Sequence, residues 1–201
     1  MTPLRTIESI AVPILIDNVD TDTIIPSREM KTTGRTGLAE GMFAPWRYSD
    51  AIARIPDPEF ALNKPEAASA QVLLGGTNFG CGSSREHAVW ALAEYGIRCV
   101  IAPTFAPIFR NNCIRNGILP IVLDRDLIEK MAWQELHINL PAQKLRCGDA
   151  AHAFEIDGEE KEMLVEGLDV IDITLQHRGD IEQWLDRDRT ARPHVYLEGE
   201  R

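Results

Sequence analysis

Residues 71–123 read QVLLGGTNFGCGSSREHAVWALAEYGIRCVIAPTFAPIFRNNCIRNGILPIVL, in which short apolar runs alternate with longer mixed ones. The pattern predicts, in order, strand 71–74, helix 84–95, strand 98–102, helix 107–116 and strand 118–123. Gly96 and Gly117 each follow a predicted helix, where glycine commonly ends one. This order requires parallel strands joined by right-handed crossovers. We therefore predict an α/β fold with a parallel βαβαβ core.

The residues before this core predict one strand and several loops. Ile10–Ile16 is apolar and rich in β-branched residues, and Pro13 within it favours an edge or bulged strand. Asn18–Thr23 is a polar turn-forming run, and residues 41–70 carry several prolines typical of loops.

The residues after the core predict a mixture of elements. Asp124 is a typical N-cap for a helix that would run to about His137. Alternating residues between Ile138 and Val165 favour antiparallel strands, with Asp157-Gly158 as a hairpin turn. One or two helices follow from Gly167 to about Trp184. We predict a single domain over residues 1–201, with a flexible tail from about residue 189.

Composition narrows the class of protein. The chain has 201 residues, 44% of them hydrophobic and 26% charged, as in ordinary globular domains. Its formal net charge of −10 argues against nucleic-acid binding, which needs clustered Lys and Arg. No apolar run approaches the roughly 20 residues of a membrane span. The N-terminus lacks the pattern of a secretion signal, so we expect a cytoplasmic protein.

The four cysteines predict no self-contained metal site. Cys81, Cys99, Cys113 and Cys147 contain no C-x-x-C pair, so a zinc or iron–sulfur site built by this chain alone is not expected. Cys81 differs from the others because it lies within the glycine-rich run GCGSSREH at residues 80–87.

That glycine-rich run predicts an anion site with an activated hydroxyl. Glycines permit a sharp turn and a close ligand approach, and helix N-termini attract anions. Ser83, Ser84 and Arg85 fall at the predicted start of a helix. Backbone N–H groups and a guanidinium would stabilise a Ser83 alkoxide, so the serine could accept a proton. Arg85 could grip a carboxylate with two parallel hydrogen bonds.

Each of these residues also has a purely structural interpretation. Ser83 and Glu86 fit the S-x-x-E capping box, and His87 could simply be a packed or surface histidine. Arg85 could be a solvated side chain. A Cys81–His87 thiolate pair would instead indicate a thiol hydrolase.

Two further loops could contribute charged groups. Asp20 and Asp22 form an Asp-x-Asp pair that suits either a hard cation or a turn, and a turn is the favoured interpretation for Asp20. Arg35, between Gly34 and Gly37, is either surface charge or a second grip on a carboxylate. The run from Gly75 to Gly80 does not contain G-x-G-x-x-G, so a dinucleotide site is not indicated.

The motifs together resemble one known family. The stretches that carry the likeness are Asn18–Pro26, Arg35–Gly37, Trp46–Tyr48, Asn78–Ala88, Val100–Ala106, Leu119-Pro120 and Thr174–His177. They resemble the small subunits of 3-isopropylmalate dehydratases (isopropylmalate isomerases), within the aconitase superfamily. The likeness extends over about residues 8–180. One departure is Ala44-Pro45 before Trp46, where close relatives often have an acidic residue, which leaves side-chain specificity open.

The resemblance implies a fold, a partner and a reaction. The fold is the three-layer β/β/α swivelling domain of the aconitase C-terminus. The partner is a separate large subunit that carries a [4Fe-4S] cluster. The reaction converts 2-isopropylmalate to 3-isopropylmalate in leucine biosynthesis, by dehydration to isopropylmaleate and rehydration with the opposite regiochemistry.

The resemblance also implies roles for individual residues. Ser83 would be the base, Arg85 and Ser84 would bind one substrate carboxylate, and Arg35 would bind the other. Supporting positions near the site are Asp22, His87 and Cys81. Thr36 and Leu38 are candidates for contact with the isopropyl group.

Three other functions stay open. The chain could be the small subunit of a related citraconate/methylmalate or homoaconitate hydro-lyase. It could be a non-catalytic scaffold subunit whose glycine-rich turn only binds an anion. It could also be a free-standing thiol hydrolase that uses Cys81.

Overall fold

The structure, a computed structural model, describes residues 1–30, 34–82 and 85–196. Its strands are β1 Thr6–Ile14, β2 Tyr48–Asp50, β3 Ile55–Pro56, β4 Val72–Gly75, β5 Cys99–Ala102, β6 Leu119–Val122, β7 Glu135–Asn139, β8 Lys144–Cys147 and β9 Ala150–Ala153. Seven of them form one mixed sheet in the order β6-β5-β4-β1-β7-β8-β9. The strands β2 and β3 pair separately as a small antiparallel hairpin.

Helices connect these strands and extend beyond them. They are α1 Thr21–Ile24, α2 Ala44–Arg47, α3 Glu86–Tyr95, α4 Pro107–Arg115, α5 Arg125–Lys130, α6 Gly158–Glu166, α7 Val170–Gln176 and α8 Arg178–Ala191. A short 3-10 turn at Ser27–Glu29 follows α1. Among the residues that the structure describes, no helix combines the length and apolar character that crossing a bilayer requires.

The predicted parallel core is confirmed. The elements β4, α3, β5, α4 and β6 follow one another along the chain, and the three strands pair in parallel. Gly96 ends α3 in the left-handed conformation, at a φ of 112° that glycine adopts without steric cost. Pro107 opens α4 in the first turn, where its missing N–H costs nothing.

Strand β1 is central rather than an edge strand, which corrects the expectation from Pro13. Its first half pairs antiparallel with β7 and its second half pairs parallel with β4. The hydrogen bonds on the β7 side of β1 end at Ala11. Its N–H donates to the carbonyl of Gln134, and its carbonyl accepts from the N–H of Trp133. Pro13 lies two residues further on, so its backbone faces the same side, beyond the end of that ladder. The sheet thus loses no hydrogen bond to this proline.

The sheet divides the interior into two cores. Leu73 of β4 and Val100 of β5 face α3, whose Val89 and Leu92 are fully buried. The alternate residues Val72, Leu74, Cys99 and Ile101 face the opposite core, with Leu136, Leu145 and Met163 from β7, β8 and α6. The parallel and antiparallel halves of the sheet share β1 and bury a common core, and helices cover the other face. This arrangement agrees with the expected three-layer β/β/α fold.

Two expectations for the second half of the chain were wrong. The helix that begins after Asp124 ends at Lys130, because Trp133 adopts a φ of 60°, which interrupts a helix, and β7 follows. Asp157-Gly158 is not a hairpin turn. The Asp157 carboxylate accepts hydrogen bonds from the N–H groups of Glu159 and Glu160 and caps α6.

The remaining expectations for this half have different outcomes. Antiparallel strands β7, β8 and β9 form as predicted, but they end at Ala153. The terminal helices predicted from Gly167 are confirmed as α7 and α8. The single-domain organisation and the flexible tail from about residue 189 stay predictions.

Candidate functional site

The glycine-rich turn pairs with the Asp-x-Asp loop at the carboxyl end of the parallel sheet. The N–H of Gly80 donates to the carbonyl of Val19 at 2.7 Å, and the N–H of Thr21 donates to the carbonyl of Cys81 at 2.9 Å. These bonds hold α1 beside the residues that lead into α3. Ligand sites in parallel α/β sheets lie at this end of the strands.

Gly80 is required by the packing of this turn. Its φ is 76°, in the region that favours glycine, and a Cβ built on it would lie 2.1 Å from Cγ of Phe109. The aromatic ring of Phe109 is itself buried against Phe79. The turn therefore has no room for any side chain at residue 80.

We expect Gly80→Ala to lower the free energy of unfolding by about 2–4 kcal/mol, since strain at positive φ adds to overpacking. Urea unfolding of the purified chain measures this. Gly179→Ala in α8 is the matched control, because nothing lies within 4 Å of the position where its Cβ would be placed. A stability loss of the same size in both variants would contradict the argument.

Arg85 is held at the N-terminus of α3 by one side chain of α1 and one of the 3-10 turn that follows α1. It is the N-cap residue of the helix. Its Nη1 lies 2.7 Å from Oδ1 of Asp22 and 2.6 Å from the hydroxyl oxygen of Ser27. The Arg85 side chain is 28% exposed, so the guanidinium is partly sheltered and still reachable from solvent. The structure thus brings Asp22 and Arg85 together and does not leave Arg85 as a merely solvated side chain.

Arg35 and His87 meet on one aromatic ring. The Arg35 guanidinium lies over Trp90, with Cζ 5.2 Å from the ring centroid. The imidazole of His87 packs on the same indole, with centroids 4.6 Å apart. His87 thus has the packed position that the structural interpretation predicts. Arg35 is exposed but lies against α3, and cation–π attraction favours this placement.

The segment that follows Arg35 is attached to α3 by one carboxylate. Glu94 accepts hydrogen bonds from the N–H groups of Gly37, Leu38 and Ala39 at 2.6, 2.6 and 2.8 Å. Burial raises the pKa of the Glu94 carboxyl, but the three backbone donors outweigh it and the pKa lies below its usual value. Leu38 is 1% exposed within the core, so it does not line an open pocket for an isopropyl group.

The two serines of the motif, Ser83 and Ser84, lie outside the described residues. Both flanks are described, and they bear on the capping-box interpretation. Helix α3 begins at Glu86 with Arg85 as N-cap, whereas a capping box requires Ser83 in that position. The Glu86 carboxylate accepts a hydrogen bond from the side-chain amide of Asn116 at 2.9 Å. The N-cap that the structure describes for α3 is therefore Arg85.

The four cysteines differ in burial and in their surroundings. Burial raises the pKa values of the Cys99 and Cys113 thiols, which keeps them protonated. The Cys81 thiol donates to the carbonyl of Asn18 at 3.3 Å, and Cys147 lies in β8, on the antiparallel half of the sheet. Within residues 1–30, 34–82 and 85–196, no three His, Cys, Asp or Glu side chains are grouped to hold a metal ion.

The contacts of Cys81 and Asp20 bear on two earlier interpretations: a Cys81–His87 thiolate pair, and a turn rather than a cation site at Asp20. His87 packs on Trp90, and the Cys81 thiol bonds Asn18, so these contacts do not support a thiolate–imidazole pair. The Asp20 carboxylate accepts a hydrogen bond from the N–H of Thr23 at 2.6 Å and caps α1. The turn interpretation of Asp20 thus agrees with the structure.

Sequence reasoning missed Ser27, Trp90 and Glu94. Ser27 belongs to a 3-10 turn without a motif of its own, and Trp90 and Glu94 are unremarkable members of an amphipathic helix. The hydrogen bonds of Ser27 and Glu94 join residues that are 55 to 58 positions apart in the chain. No local pattern signals contacts at that separation.

Comparisons with known proteins agree with this fold. Residues 1–126 match the family described as the aconitase C-terminal domain. The chain is 46% identical to the 3-isopropylmalate dehydratase small subunit of Cupriavidus necator, over 99% of this chain and 100% of the relative. It is 48% identical to the small subunit of the same name from Nitrobacter hamburgensis, over 96% and 98%.

A solved structure from the same family also resembles this chain. The crystal structure of 3-isopropylmalate dehydratase from Methanocaldococcus jannaschii superposes with a TM-score of 0.66 at 32% identity. The match covers 89% of this chain and 98% of that one. The chain therefore belongs to the aconitase C-terminal domain family and, within it, to the 3-isopropylmalate dehydratase small subunits.

Proposed function

We propose that this chain is the small subunit of a heteromeric hydro-lyase that interconverts 2-isopropylmalate and 3-isopropylmalate through isopropylmaleate, in leucine biosynthesis. The observation that carries the proposal is Arg85, held by Asp22 and Ser27 at the N-terminus of α3, next to the glycine turn. This arrangement presents a sheltered guanidinium to an anion at the carboxyl end of a parallel sheet. The names of the relatives supply the reaction.

Arg85 and Arg35 would hold the two carboxylates of the substrate. A guanidinium pairs with a carboxylate through a planar fork, which orients the substrate as well as binding it. Asp22 lies 2.7 Å from Nη1 of Arg85 and limits the directions in which that guanidinium can turn. Ser84 would add a hydrogen bond to the carboxylate that Arg85 binds. His87 and Cys81 keep supporting positions in this proposal.

Ser83 would act as the base. It would remove the proton from the carbon next to a carboxylate, and the C–H electron pair would form the double bond as hydroxide leaves the neighbouring carbon. Hydroxide then adds to the carbon that lost the proton, and Ser83 returns its proton to the neighbouring carbon, so that the hydrogen and the hydroxyl have exchanged positions. The helix N-terminus and the Arg85 charge would stabilise the serine alkoxide, which otherwise forms poorly at neutral pH.

We assign the [4Fe-4S] cluster to a separate large subunit, as the resemblance to the 3-isopropylmalate dehydratase small subunits implies. The site of this proposal is then shared between two chains. Closure of this domain over the large subunit would exclude water and bring Ser83 to the substrate. We place the complex in the cytoplasm, as the sequence predicts.

Reconstitution tests the proposal. The chain is mixed anaerobically with the cluster-loaded large subunit, and hydration of isopropylmaleate is followed. We expect activity from the mixture and none from either chain alone. Activity of the large subunit alone would contradict a catalytic role for this chain and favour a scaffold. A preference for citraconate or homoaconitate over isopropylmaleate would move the proposal to the related hydro-lyases.

A further inference from the structure

Helix α3 holds the segment of residues 35–40, called here the Arg35 segment, by two independent contacts. Glu94 binds three consecutive backbone N–H groups of residues 37–39, and Trp90 lies beneath the Arg35 guanidinium. Trp90 and Glu94 are four residues apart, so they lie on the same side of the helix. The segment around Arg35 is therefore attached to one face of α3 both through its backbone and through its charged side chain.

The Trp90 ring is itself held in place. Its indole N–H donates to Oδ1 of Asn116 at 3.0 Å, and the amide nitrogen of Asn116 donates to the Glu86 carboxylate at 2.9 Å. His87 packs on the same ring as Arg35. A ring fixed by a hydrogen bond and by a neighbouring side chain gives the guanidinium a defined position, because stacking on an immobile ring costs less side-chain entropy.

The far end of the same segment is also anchored. Arg47 Nη1 donates to the carbonyl of Ala39 at 2.8 Å, and the Tyr48 hydroxyl donates to the carbonyl of Glu40 at 3.0 Å. The Arg47 guanidinium in turn lies over the rings of Tyr48 and Tyr95, 5.5 and 5.0 Å from their centroids. Tyr95 belongs to α3 as well. Both ends of the segment therefore contact α3, the first end directly and the far end through Arg47.

The same helix carries Arg85 at its N-cap. With a rise of 1.5 Å per residue, Trp90 lies roughly 7.5 Å along the axis from Arg85. The two guanidinium groups of the proposed site are therefore held on a single rigid element rather than on two independent loops. Rigid elements hold a binding geometry better than loops do.

We propose that Glu94 and Trp90 are positioning residues that hold Arg35 at a set distance from Arg85, so that α3 defines the spacing of the two carboxylate-binding groups. This inference rests on the proposed function of the two arginines. Neither Glu94 nor Trp90 would touch the substrate. They act through Arg35, and their loss therefore impairs binding of the second carboxylate.

Kinetics of the assembled two-subunit enzyme test the inference. We expect Glu94→Gln to raise KM for 2-isopropylmalate about tenfold with kcat changed less than about twofold, because an uncharged amide oxygen cannot replace a carboxylate that accepts three N–H bonds. Trp90→Leu should act in the same direction, and Trp90→Phe, which keeps an aromatic face, should restore most of the affinity. Glu182→Gln, which removes an exposed carboxylate on α8, is the matched control and should change neither constant.

A double-mutant cycle separates positioning from a general structural role. In an Arg35→Ala enzyme, Glu94→Gln should add nothing further to KM, whereas independent effects would multiply and overturn the inference. Hydrogen exchange gives a second measurement without activity. The amides of Gly37, Leu38 and Ala39 should exchange faster in Glu94→Gln, and unchanged exchange would overturn the inference.

The outcomes also separate this inference from the proposed function. If Arg35→Ala raises KM and Glu94→Gln does not, the positioning role fails and the function of Arg35 stands. If Arg35→Ala itself leaves KM unchanged, Arg35 does not bind the substrate, and both the role of Arg35 and the positioning inference are overturned.

Discussion

Replacing Ser83 by alanine is expected to lower kcat for isopropylmalate isomerisation by about 10²- to 10⁴-fold, the usual effect of removing a general base. Alanine cannot accept the proton, and its methyl group leaves the carboxylate-binding arginines unchanged. KM should therefore change far less than kcat. The measurement is steady-state turnover of the Ser83→Ala chain assembled with its large subunit, after gel filtration has shown that the complex forms.

Two serine variants make this test specific. Ser69→Ala replaces an exposed serine in the turn before β4, at the opposite end of the strand from the glycine turn, and should leave turnover unchanged. Ser84→Ala should raise KM more than it lowers kcat, because a carboxylate ligand is lost and the base is kept. Near-normal turnover of an intact Ser83→Ala complex would remove Ser83 from the mechanism.

The parallel core could be predicted because its signals are local. Strands β4, β5 and β6 are short apolar runs, and the intervening helices carry terminal signals at Gly96 and Pro107. When each connection is short, the right-handed crossover rule leaves one arrangement of the strands. Local pattern and global topology therefore agree in this part of the chain.

The predictions that failed depended on contacts that sequence does not show. Pro13 indicates an edge, yet β1 is central, since two different strands use successive halves of it. Trp133 ends a plausible helix because its backbone N–H bonds Ala11 in β1, a partner 122 residues away. Asp157-Gly158 fits both a hairpin turn and a helix cap, and the two glutamates that follow decide for the cap.

The candidate site likewise combines residues that a local motif predicts with residues that only distant contacts bring together. The glycine turn and Arg85 form one contiguous motif, so sequence places them together. Arg35, Asp22 and Ser27 contact α3 only through the fold, because their partners Trp90 and Arg85 lie 55 to 63 residues later in the chain. Trp90 and Glu94 have no chemical signature at all, because their effect lies in what they hold rather than in what they react with.

Arg85→Lys is expected to lower kcat/KM for 2-isopropylmalate by about 10- to 100-fold, the effect of losing roughly 1.5–3 kcal/mol of charge-assisted hydrogen bonding. Lysine keeps the positive charge but lacks the planar fork. It therefore cannot bond the Asp22 carboxylate, the Ser27 hydroxyl and a substrate carboxylate in one fixed geometry. Initial rates of the assembled enzyme over a range of substrate concentrations give kcat and KM separately.

The control for Arg85→Lys is Arg178→Lys, because Arg178 also pairs with a carboxylate, that of Glu182, but on the exposed helix α8. Exposed pairs of this kind contribute little to stability, and this one lies away from the candidate site, so this variant should match the parent enzyme in both constants. A melting temperature within a few degrees of the parent would show that the lysine at residue 85 leaves the fold intact. Unchanged kcat and KM in an intact Arg85→Lys complex would contradict a carboxylate-binding role for Arg85, since Asp22 and Ser27 would then hold a guanidinium that the reaction does not use.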